Sequence, residues 1–199
     1  STLLASSAAS DVYKRQTYDL PEPFMVIATQ NPIGSIGTQK LPESQMDRFM
    51  VKLSMGYPSV EDEITIMKSR SENDKRKILS ECVLDNGDIQ AIKEAVSDIY
   101  VDDSIYEYVA NIVDKTRHRE NIIQGVSPRG SISIISMAKA EAFLRGNEYV
   151  LPSDIKNIAV ETLAHRLITN VAGAAGNEAA KKEITDILRM IPVPKMQEK

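Results

Sequence analysis

Three polar residues of this chain have types and settings suited to phosphate chemistry: Asn31, Arg48 and Arg129. Asn31 follows an apolar run, Phe24-Met25-Val26-Ile27-Ala28, and the pair Thr29-Gln30. A carboxamide both donates and accepts hydrogen bonds, so an asparagine at a strand end can hold a water in line for attack on a phosphate. The plainer alternative is a residue that ends a strand and caps the turn before Pro32. Arg48 lies in the short segment MDRF. A guanidinium is permanently charged and can bridge two phosphate oxygens, although an arginine beside Asp47 can equally be an ordinary surface ion pair. Arg129 follows Ser127-Pro128, a cap residue and a proline at the first helical position. Free N–H groups and the helix dipole already favour an anion there, and Arg129 would strengthen that attraction. A solvated first-turn arginine is the alternative. The dipole makes that placement mildly unfavourable, which favours a functional reason for it.

The elements that would position these residues change character along the chain. The run 24–28, entered through Pro21 and Pro23, reads as a buried central parallel strand. Ligands of open α/β sheets bind at the carboxyl ends of such strands, which is where Asn31 would lie. Phe49-Met50-Val51-Lys52-Leu53 is a second strand, expected beside and parallel to the first. After Gly56-Tyr57-Pro58 the pattern is helical throughout. Ser59 with Asp62 forms a capping-box signature opening a helix to about Arg70. Ile89, Ile92, Val96 and Ile99 form one helical stripe, and Ile105, Tyr108, Val109, Ile112 and Val113 form another. The helix after Pro128 carries Ile132, Ile135, Ala138 and Ala142, and stops at Gly146. Further helices are expected from Pro152 and over about 177–190, the last closed by Pro192 and Pro194. The fold class expected is the end of an α/β parallel-sheet core followed by a helical bundle.

The stretch ATQNP…LPESQMDRF resembles the sensor 1 strand and arginine-finger segment of the MoxR family of AAA+ ATPases. GVSPRGSISI, residues 125–134, resembles the sensor 2 segment of MoxR-like and magnesium-chelatase-like ATPases. NEYVLPSDIKNIAVETLAHRLI and the terminal RMIPVP resemble the lid that follows. The resemblance covers most of residues 17–194, in family order. It implies sensor 1 at Asn31, a finger acting in trans at Arg48, and sensor 2 at Arg129. It also implies ATP and Mg2+ as cofactors, a homo-oligomeric hexameric ring, and remodelling or activation of partner proteins, among them von Willebrand A domain proteins. Two departures stand out. Gly34 and Ile36 replace acidic residues of the family's loop, with Lys40 where a proline is usual, and Gly130 replaces a frequent alanine. The glycine is expected to loosen its helix start slightly, by under about 1 kcal/mol.

What the sequence lacks bounds the activity of this stretch. No GxxxxGK[ST] phosphate cradle occurs in it, nor an apolar strand ending in Asp-Glu to hold magnesium. The resemblance implies an ATPase; this chain alone is expected to be an inactive C-terminal fragment. Residues 6–16, SSAASDVYKRQ, resemble the translation of a transposon-end adapter used in preparing sequencing libraries. Residues 1–16 are therefore expected to be non-native and disordered, residues 17–57 to end a nucleotide-binding core, and residues 58–194 to form the lid.

Composition is that of a globular protein, with 42% apolar and 26% charged residues. The net charge of −4 lacks the basic footprint of a nucleic-acid binder. The one cysteine, Cys82, forms no internal disulfide, which suits a reducing, cytoplasmic setting. No run reaches the length of a membrane span. His118 and His165 have no ligand partners at helical spacing, so no metal site is expected. Two other classes remain open: a non-enzymatic helical interaction module, and a magnesium-chelatase-like or DNA-linked AAA+ ATPase. The upstream sequence would separate them.

Overall fold

The computed structural model describes residues 10–13, 16–20, 22–30, 41–71, 83–171 and 174–194. In chain order the elements are β1 (Ser10–Tyr13), β2 (Gln16–Asp19), α1 (Glu43–Met46), α2 (Val60–Ser71), α3 (Asn86–Asp98), α4 (Asp103–Arg117) and β3 (Ile122–Gln124). They continue with α5 (Pro128–Leu144), α6 (Pro152–Leu163), a 3-10 turn (Ala164–Arg166), β4 (Ile168–Thr169) and α7 (Ala174–Met190). Helices dominate, as expected of the end of an AAA+ core followed by a lid.

The capping signals act as their chemistry requires. The Ser59 hydroxyl accepts from the Asp62 amide at 3.1 Å, opening α2. Asp85 and Asp88 form a reciprocal capping box at α3, with both bonds at 2.9 Å. The Asp154 carboxylate accepts from the Leu151 amide at 2.8 Å, just before Pro152 starts α6. Helix α5 ends before Gly146, whose φ of 74° is open to a residue without Cβ. The Asn147 amide then closes the end on the Ala142 carbonyl at 2.9 Å.

The core lies between α4, α5, α6 and α7. Helix α4 buries Ile105, Tyr108, Val109, Ile112 and Val113, the stripe predicted from sequence. Ile134, Ala138 and Ala142 of α5, Ile155, Ala159 and Leu163 of α6, and Ile184 and Ile187 of α7 belong to one buried cluster. Each fully buried isoleucine or leucine contributes about 2 kcal/mol. Among the described residues, the buried apolar set begins at Ile99 and ends at Ile187.

Several expectations are corrected. Residues 24–30 and 51–53 belong to no helix or strand, so the sensor 1 strand and its parallel neighbour are not observed as strands. A strand needs hydrogen-bonded neighbours on its edges, and the two segments do not supply them to each other. Phe24, Met25, Val26 and Ile27 are accordingly exposed rather than buried. The described part of residues 1–16 is not structureless: β1 pairs antiparallel with β2, from Ser10↔Asp19 to Tyr13↔Gln16. A second small ladder, Ile122↔Thr169 and Gln124↔Ile168, interrupts the helical region. In α5 the buried face is Ile134, Ala138 and Ala142, while Ile132 is 69% exposed. The loop with Gly34, Ile36 and Lys40, and Cys82, lie outside the described residues.

Candidate functional site

Two segments distant in sequence meet at the start of α5. The first is the single turn α1 with the Asp47-Arg48-Phe49 stretch after it. The Arg48 amide donates to the Gln45 carbonyl at 3.1 Å, and the Phe49 amide to the Met46 carbonyl at 3.1 Å. Beyond it, the Lys52 amide donates to the Glu161 carbonyl of α6 at 2.9 Å. The stretch is thus laid as a strap across the end of α6.

The second segment is the loop 125–127 leading into α5. Its course is set by α4. The Thr116 hydroxyl accepts from the Val126 amide at 3.0 Å, and Arg117 donates to the Val126 carbonyl at 3.0 and 3.1 Å. A Cβ on Gly125 would sit 2.9 Å from the Arg117 backbone, so only glycine fits this approach. Ser127 is the N-cap residue and Pro128 the first helical one, as the sequence indicates. The Ser127 hydroxyl makes no capping bond; it donates to both Asp47 carboxylate oxygens at 3.1 Å. Arg129, half exposed in the first turn, approaches the same carboxylate at 4.0 Å.

A third residue joins them. Arg166, from the 3-10 turn after α6, has a side chain only 1% exposed. Its Nε donates to the Thr162 carbonyl at 2.9 Å. One terminal nitrogen donates to the Asp47 carbonyl and, at 2.9 Å, to the Asp47 carboxylate. The other donates to the Phe49 carbonyl at 2.8 Å and to the Ser133 hydroxyl at 2.9 Å. These partners use every N–H of the guanidinium. Burial lowers the arginine's pKa, and the hydrogen bond and charge of Asp47 oppose that shift. The legible signal was an arginine set inside the apolar stretch LAHRLI, a position that only a paired guanidinium tolerates.

Gly130 belongs to this packing. A Cβ there would lie 2.3 Å from Val126 and 3.1 Å from the Arg166 side chain. The glycine therefore makes room for the clamp, which corrects the expectation that it merely loosens the helix start. An ion pair between Asp47 and Arg48, the plainer alternative for Arg48, is not formed. The Asp47 ion pairs are with Arg166 and Arg129, and Arg48 is exposed. Asn31 lies outside the described residues.

His165 packs beside the clamp, its Nε2 3.0 Å from the Phe49 carbonyl. Burial pushes its pKa below the ordinary 6.5; the Phe49 carbonyl opposes this and the Arg166 charge adds to it. Just below pH 6.5 the unfolded chain therefore binds more protons at this ring than the folded one. The contribution to stability is complete above the unfolded value and is lost as pH falls through the folded one. We expect the urea midpoint of the chain to drop between about pH 7 and about pH 5.5, and the drop to shrink in His165→Gln. An equal drop in both proteins would assign the effect to other groups.

Exposed Arg48 and half-exposed Arg129 at a helix N-terminus fit the charge of a polyphosphate. Among the described residues no three His, Cys, Asp or Glu side chains converge.

Comparison with known proteins bears on both segments. A model of the "ATPase family associated with various cellular activities (AAA)" matches residues 1–51, a range that takes in the segment read as non-native. A model of the "AAA lid domain" matches residues 114–187. An uncharacterized Bacillus subtilis protein, YeaC, is 39% identical over 178 residues, covering 89% of this chain and 55% of its own length. Chaperone MoxR1 of Mycobacterium tuberculosis is 32% identical over 190 residues, covering 91% and 50%. A crystal structure from Cytophaga hutchinsonii, provisionally named an ATPase, superposes with a TM-score of 0.81 at 32% identity, covering 94% of this chain and 59% of that one. The chain thus spans about half the length of the curated relatives it matches. With matches to both the AAA and the AAA lid models and with its similarity to a MoxR chaperone, the chain belongs to the MoxR-like family of AAA+ ATPases.

Proposed function

We propose that the protein to which this chain belongs hydrolyses ATP in a hexameric cytoplasmic ring. It would use that energy, chaperone-like, to remodel or activate partner proteins, von Willebrand A domain proteins among them. Residues 17–57 close the nucleotide-binding core and residues 58–194 form the lid. Asn31 holds the attacking water. Arg48 reaches the neighbouring subunit's nucleotide, and Arg129 senses the γ-phosphate in its own subunit. ATP with Mg2+ supplies the phosphoryl group and the metal charge when bound. The observation that carries this reading is the convergence at Asp47. Residues 47–49 and 127–133 meet there, and these two segments carry Arg48 and Arg129, which supports reading both as phosphate-binding arginines.

Two measurements test it. The chain alone should bind ATP weakly, because no phosphate cradle occurs in its sequence. Calorimetry giving a Kd tighter than about 10 μM, roughly −7 kcal/mol, would contradict this. The full-length protein, by contrast, should hydrolyse ATP when assembled. If it assembles, hydrolyses none, and acts on partners without nucleotide, a helical interaction module is the correct reading.

A further inference from the structure

We propose that Arg166 is a positioning residue that presents Arg48 from the lid, so that the placement of Arg48 follows the lid carrying Arg129. The proposal rests on the reading of Arg48 as a finger acting on a neighbouring subunit. Its basis is where the Arg166 contacts fall. The two strap carbonyls that accept from Arg166 belong to Asp47 and Phe49, the residues immediately before and after Arg48. His165 holds the Phe49 carbonyl as well, at 3.0 Å. The backbone is gripped on both sides of Arg48 by a buried turn, while Arg48 itself is exposed.

The same clamp reaches the Arg129 helix. Arg166 donates to the Ser133 hydroxyl at 2.9 Å, and Ser133 lies one turn after Arg129 on the same helix face. Arg129 and Ser127 meet the Asp47 carboxylate directly. A shift of α5 that follows Arg129 therefore pulls on the residues flanking Arg48. Phosphoryl transfer depends on placement, and an error of about 1 Å in a positioned group can cost on the order of 10²-fold in rate. Lysine cannot replace this clamp, since a single ammonium does not span both carbonyls, Ser133 and the Asp47 carboxylate.

The test has two arms. In this chain, Arg166→Lys should speed hydrogen exchange at the amides of residues 47–50 by about 10-fold or more, leaving the α4 amides unchanged. No change at 47–50 overturns the clamp. In the full-length ring, Arg166→Lys should lower kcat on the order of 10²-fold with little change in KM for ATP. Mixed with subunits dead in their own P-loop, it should recover hydrolysis, because the missing function is supplied by the neighbour. A raised KM without recovery places the effect in the subunit's own nucleotide site and overturns the proposal. Arg48→Ala in the same assay separates the two readings. If Arg48→Ala stays active, the finger itself is wrong. If it is dead and Arg166→Lys fully active, only the positioning role is wrong. Should Arg166→Lys fail to fold, Asp47→Asn serves in both arms with the same pattern at about 10-fold, and its indifference in both overturns the proposal.

Discussion

Replacing Arg48 by alanine in the full-length ring is expected to abolish hydrolysis while leaving ATP binding nearly intact. A finger neutralises charge that develops on the transferring phosphoryl group, and its loss costs on the order of 10³-fold or more in rate. The binding energy of the ground state comes from the subunit's own phosphate cradle, which Arg48 does not touch in this reading. Its side chain is exposed, so removing it breaks no packing in the chain. Thermal unfolding of Arg48→Ala should therefore match the parent. Arg129→Ala should behave differently, weakening ATP binding or lid closure in the same subunit. Equal loss of binding in the two variants would refute their separate roles.

The second large effect is on stability. Ile134 is fully buried between α5 and its neighbours, whereas Ile132, two residues earlier, is 69% exposed. Ile134→Ala should cost about 3 kcal/mol by lost transfer energy and a residual cavity, lowering Tm by about 10 °C. Ile132→Ala should stay within about 0.5 kcal/mol of the parent. The pair is a direct check on which face of α5 meets the core. If Ile132→Ala proves the more damaging, the helix is rotated relative to the structure described.

Helix existence and helix ends were legible because their causes are local. The Ser59/Asp62 pair, the Ser127-Pro128 start, the Gly146 stop and the stripe on α4 act within a turn or two of chain, and each appears where the sequence places it. Family membership was legible for a related reason: its motifs, LPESQMDRF and GVSPRG, are contiguous. The apolar run 24–28 reads as a buried strand yet forms none, because a strand is not a local object. Hydrophobicity signals burial, but the ladder depends on neighbours that the run does not carry itself. The face of α5 was also ambiguous. Ile132, Ile134 and Ile135 lie within a single turn, and packing against the neighbouring helices selects Ile134 for the interior.

Tertiary structure alone decided the junction at Asp47. Sequence offered Asp47 as a partner for adjacent Arg48 and Ser127 as a helix cap, both short-range choices. In the fold the carboxylate accepts from Ser127 and Arg166, residues far along the chain, and the cap bond at Ser127 is given up. The physical reason is burial. A guanidinium that is 1% exposed must pair every N–H it has, and it finds its acceptors on the strap, α5 and α6, which the fold brings together. Residue types thus determined which groups could bear charge and which helices would form; long-range packing determined which of those charges meet.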